Sequence, residues 1–65
     1  MVRSNFGGNL RQLRKEKGIS QKKLAEQLSI SKSMLSRWEN GKLYPQVIWI
    51  YEIADKLKVN PKELI

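Results

Sequence analysis

Only Ser29, Ile30 and Ser31 separate two stretches whose apolar residues recur at helical spacing, and this short link restricts the available folds severely. Before it, Leu24, Ala25 and Leu28 share one face of a helix predicted over residues 21–28, with Ser20 as its cap. After it, Leu35 and Trp38 share one face of a helix predicted over residues 32–40, with Ser31 as cap and Gly41 as stop. Two helices joined by about three residues meet at a steep angle. Leu24 and Leu28 then face the later helix, and Ala25 permits close approach. Ile30 plugs the turn, and Leu35 and Trp38 return to a common core. The spacing is that of a helix-turn-helix.

The rest of the chain supplies elements to complete that core. Phe6, Leu10 and Leu13 fall at helical spacing over residues 6–17, and Gly18 ends the run because it takes a left-handed conformation freely. After the loop GKLY and Pro45, residues 46–58 place Val47, Ile50, Ile53, Ala54 and Leu57 on one side. The segment VIWIY has strand composition, yet the helical period continuing through Leu57 favours a helix. Asn60, Pro61 and Glu63 form a capping pattern for a last helix, packed down by Leu64 and Ile65. The expected fold is all-α, five helices in a single domain over residues 1–65, with no strand.

Composition narrows the chemistry. A chain of 65 residues supports one small core. It has no cysteine and no histidine, and its only aspartate is Asp55. Metal sites built on His or Cys and nucleophile–histidine pairs are therefore excluded, and neither an enzyme nor a cofactor is expected. Thirteen Lys and Arg against six Asp and Glu leave a net charge of +7. An excess of that size suits a polyanion, nucleic acid first and an anionic membrane second. No run of about 18 apolar residues is present to span a membrane. The N-terminal MVRSNFGGNL lacks the apolar stretch of a signal peptide, so the cytoplasm is the expected location.

With these pieces in order, the chain from Leu10 to Leu64 resembles the Cro/phage-repressor, or XRE-type, helix-turn-helix family. The resemblance rests on LRKEKGISQKKLA, LSISKSMLSRWENGK, Pro45 and IADKLKVNPKELI. It implies a five-helix, lambda-repressor-like DNA-binding domain, usually dimeric, that regulates transcription at palindromic operators. One departure is Ser29, where the family commonly has glycine. A serine with positive φ there costs on the order of 1 kcal/mol.

If Leu35 and Trp38 face inward, Lys32, Ser33, Ser36 and Arg37 face outward, with Met34 at the edge. In this motif the second helix of the pair enters the major groove, where each base pair shows a distinct donor and acceptor pattern. The resemblance puts Lys32, Ser33 and Arg37 on base-reading positions. Lys32 or Arg37 suits guanine, Ser33 reads several bases, and Met34 or Ser36 suits a thymine methyl. Gln21 begins the preceding helix, where unpaired N–H groups favour phosphate, and it matches a family glutamine that contacts the DNA backbone. Lys42 and Tyr44 are expected to hold phosphates across the groove. Lys22 and Lys23 are expected to contribute long-range attraction only. Arg14 and Glu39 occupy family positions that form a structural ion pair.

Ile48, Trp49 and Tyr51 fall where the family is usually polar. With Ile65 they are expected to build a homodimer contact, since exposed apolar groups often mark interfaces. Trp49 folding back as a lid on a thin core is the competing reading. The same domain also serves in antitoxins with a toxin partner, in phage or plasmid control proteins and in restriction-modification controllers. A protein-interaction module is a further alternative. A membrane-binding role fits poorly, because the basic residues are spread over all the helices.

Overall fold

The computed structural model describes residues 5–65. Its α-helices are α1 (Phe6–Glu16), α2 (Gln21–Leu28), α3 (Lys32–Glu39) and α4 (Val47–Leu57), followed by a 3-10 turn over Pro61–Glu63. No strand occurs among the described residues. The fifth helix expected at the C-terminal end is thus a single turn. The Leu64 N–H donates to the Pro61 carbonyl at 3.0 Å, a three-residue closure, and this seats Leu64 fully inside the core.

Local chemistry sets each boundary. The Ser20 hydroxyl accepts from the Lys23 N–H, and the Ser31 hydroxyl accepts from the Met34 N–H, both at 3.0 Å. Each cap satisfies one of the donors that a helix start leaves unpaired. Gly18 (φ 70°) follows α1 and Gly41 (φ 74°) follows α3. At the last turn the Asn60 side chain accepts from the Lys62 N–H while Glu63 accepts from the Asn60 N–H.

Two helices end without glycine. Ser29 has φ 57° after α2, and Lys58 has φ 61° after α4. Each turn still closes, with Ile30 donating to the Ala25 carbonyl and Val59 to the Ala54 carbonyl, both at 3.0 Å. The left-handed Lys58 had no signal in the sequence. Ser29 is exposed. Ser29→Gly is therefore expected to raise stability by about 1 kcal/mol, read as a higher urea midpoint at unchanged slope.

The core combines Phe6 and Leu10 of α1 with Leu24, Ala25 and Leu28 of α2 and Leu35 and Trp38 of α3. Ile50, Ile53, Ala54 and Leu57 of α4 and Leu64 complete it, and Ile30 packs against it from the turn. Asn9 of α1 donates to the Leu64 carbonyl at 3.2 Å and ties the last turn to the first helix. Val47 departs from its expected inward placement and is 64% exposed. It is the first residue of α4, one turn ahead of the buried Ile50. Trp49, for which a dimer contact and a lid on the core were both open, is half-buried and packs against the core. Its ring lies 5.5 Å from that of Trp38, tilted by 53°, and covers the core edge. The indole N–H of Trp38 is buried and has no hydrogen-bond partner among the described residues.

Candidate nucleic-acid interface

Helix α3 buries Leu35, Trp38 and Glu39. At about 100° per residue, the opposite side is centred on Ser33 and Arg37. Both are exposed. Lys32 is exposed on one flank, and Met34 is exposed on the other. Ser36 is half-buried, and its hydroxyl accepts from the Asn40 amide at 3.2 Å. The centre of this face therefore carries one long cation, one small hydroxyl and little that would block close approach of another surface.

The base of α3 is held by a buried charge pair. Arg14 is 8% exposed and Glu39 6%. The guanidinium donates from Nε to Glu39 Oε2 at 2.7 Å and from Nη2 to Oε1 at 3.1 Å, a bidentate arrangement. Its third nitrogen donates to the Ile19 carbonyl at 2.8 Å. Gln21, half-buried at the start of α2, donates to Glu39 Oε1 at 2.9 Å. One carboxylate on α3 therefore gathers side chains from α1 and α2. The Gln21 link was not legible in the sequence, because it requires the steep crossing of α2 and α3.

The loop after α3 keeps Lys42 exposed, while Tyr44 stacks edge-on against Phe6 at 5.5 Å between ring centres. Tyr44 is thus anchored to α1. Between α1, the start of α2 and α3 lies a cleft of about 480 Å³ that includes Arg11, a residue without a signal in the sequence. Val47, Ile48, Tyr51 and Ile65 also expose large apolar groups.

A capped helix pair with a left-handed turn, a buried outer brace and a polar outward α3 defines a helix-turn-helix regulator domain. The comparisons place it further. A helix-turn-helix family model matches residues 10–64, and the chain belongs to this family, the Cro/phage-repressor type of DNA-binding transcriptional regulators. It is 38% identical over 64 residues to the uncharacterized HTH-type transcriptional regulator y4dJ of Sinorhizobium fredii (strain NGR234), covering 98% of this chain and 83% of that protein. It is 40% identical over 60 residues to the HTH-type transcriptional activator BcrR of Enterococcus faecalis, covering 92% of this chain but 29% of BcrR. Among solved structures, the restriction-modification controller protein C.AhdI of Aeromonas hydrophila superimposes with a TM-score of 0.88 at 34% identity. That match covers 94% of this chain and 92% of C.AhdI. Among the described residues, no helix is long and apolar enough to cross a membrane.

Proposed function

We propose that this regulator is a cytoplasmic repressor that binds a palindromic operator as a homodimer, with α3 in the major groove. The observation that carries this reading is the exposed Ser33 and Arg37 on a helix whose opposite face is locked by Leu35, Trp38 and Glu39. Arg37 and Lys32 donate to base edges, each good pairing contributing roughly 1–3 kcal/mol of discrimination. Ser33, Met34 and Ser36 make the smaller base contacts. Lys42 and Tyr44 hold phosphates beside the groove, and Gln21 divides its amide between Glu39 and the DNA backbone.

A single α3 reads only a few base pairs. Two copies about 34 Å apart read half-sites one helical turn apart. Val47, Ile48, Tyr51 and Ile65 supply the apolar surface for that pairing, and their exposure supports it. In an ultracentrifugation series this chain is expected to dimerise, whereas a strict monomer at high micromolar concentration would remove the dimer from the account.

The match to C.AhdI over nearly the whole of both chains favours a second reading within the same class, a controller of a restriction-modification system. Selection from a random duplex library with purified protein tests the function directly. An enriched inverted repeat is the expected outcome, and no enrichment at low salt contradicts operator binding.

A further inference from the structure

We propose that Asn40 is a positioning residue for base recognition: its amide fixes the Ser36 hydroxyl as a hydrogen-bond donor, so that Ser36 favours thymine over cytosine. Asn40 follows α3 directly and is bound to Ser36 twice. Its backbone N–H donates to the Ser36 carbonyl at 2.9 Å, and its side-chain amide donates to the Ser36 hydroxyl at 3.2 Å. A serine hydroxyl ordinarily turns to suit its partner, giving a proton or receiving one. Here the oxygen already receives one, and among the described residues the hydroxyl donates to no acceptor. Its proton is left for a partner outside the chain. At about 100° per residue, Asn40 falls on the stripe of the helix surface that holds Ser33, and both are exposed. The pair therefore borders the outward face of α3.

The direction of that proton decides which base is accepted. In the major groove thymine shows the O4 acceptor and the C5-methyl group, whereas cytosine shows the N4 amino donor. A donor hydroxyl pairs with O4 and meets the cytosine amino group proton to proton. The Ser36 methylene beside it suits the thymine methyl as well. With its proton given instead to an acceptor at position 40, the same serine would offer lone pairs and favour cytosine. Arg37 and Lys32 are donors whatever surrounds them, while a hydroxyl takes its role from its neighbour. Asn40 thus acts through Ser36 and touches no base itself. This inference rests on the base contact assigned to Ser36 above and adds the residue that sets its direction.

Selections with wild type and Ser36→Ala first identify the base pair whose preference depends on Ser36. Duplexes carrying thymine or 5-methylcytosine there then isolate the hydrogen bond, because both bases keep the methyl and differ in O4 against the N4 amino group. Wild type should prefer thymine by about two- to tenfold, the range of one neutral hydrogen bond. Asn40→Ala should bring the ratio close to one. Asn40→Asp supplies an acceptor of the same reach, takes the Ser36 proton and should tip the ratio toward 5-methylcytosine. Its added negative charge weakens both duplexes alike and cancels in the ratio. Asn40 is exposed, so melting close to wild type is expected of each variant. With Ser36→Ala in the background, neither Asn40 substitution should move the ratio. A wild-type ratio in both Asn40 variants overturns the proposal, and so does a selection in which Ser36→Ala changes no position. A shift that persists without the Ser36 hydroxyl assigns Asn40 a direct contact and overturns it too. Lost discrimination in Arg37→Ala alongside any of these leaves the operator reading standing. A wild-type protein that enriches no duplex overturns both readings.

Discussion

Glu39→Ala is expected to lower stability by about 3–5 kcal/mol, because it leaves a buried guanidinium without its counter-charge. Arg14 is 8% exposed and directs two of its donors at Glu39. With alanine in place, only the Ile19 carbonyl still accepts from it. Gln21 also loses its partner, so the start of α2 is no longer tied to the end of α3. A domain of this size is marginal, with total stability of roughly 5–15 kcal/mol, so the variant should melt far below wild type. Operator affinity should fall with it, since α3 loses its brace. Replacing both Arg14 and Glu39 with leucine should cost less than Glu39→Ala alone, because no uncompensated charge remains. Circular-dichroism melts of the three proteins check this. Unchanged melting of Glu39→Ala would show that the pair is not structural.

Gly7→Ala is the second large effect, expected at about 2–3 kcal/mol. A Cβ at residue 7 would stand 2.5 Å from the Trp38 carbonyl oxygen and 2.7 Å from that of Glu39. Both are backbone atoms in the last turn of α3, so no side chain can swing aside. Helix α1 must move away from α3, and the Arg14–Glu39 geometry moves with it. Gly8→Ala is the internal control. There the nearest atoms, at 2.8 Å, belong to the Asn5 side chain, which makes no capping bond and can turn away. The gain in helix propensity then leaves Gly8→Ala neutral or up to about 1 kcal/mol stabilising. Opposite signs for adjacent alanines in chemical denaturation are the expected result. Equal effects would mean that α1 does not approach α3 this closely.

Most of the fold was legible because it is encoded locally. Ser20, Ser31, Gly18 and Gly41 mark helix ends by backbone chemistry, and the period of Leu24, Leu28, Leu35 and Trp38 fixes the buried faces. Positive φ at Ser29 was to be expected from the resemblance, since the family commonly has glycine there. The left-handed Lys58 was not legible, since lysine gives no hint of positive φ. Val47 and Trp49 show what a helical period leaves open. A helical period gives direction around the axis but does not say where the core ends along it. Val47 is exposed at the start of α4, while the long Trp49 side chain packs against Trp38, the lid that was its competing reading. Gln21 and Arg11 acquired partners or neighbours only once three helices had been assembled.

The central claim is that the outward face of α3 reads DNA, and the affinity of the Lys32→Ala/Arg37→Ala protein tests it most directly. Binding to the selected duplex and to a mixed-sequence duplex should be measured at one salt concentration with thermal melting in parallel. With melting unchanged, the preference for the selected duplex should fall by about tenfold or more, since each base contact carries roughly 1–3 kcal/mol. Undiminished preference in a folded double variant would contradict the account.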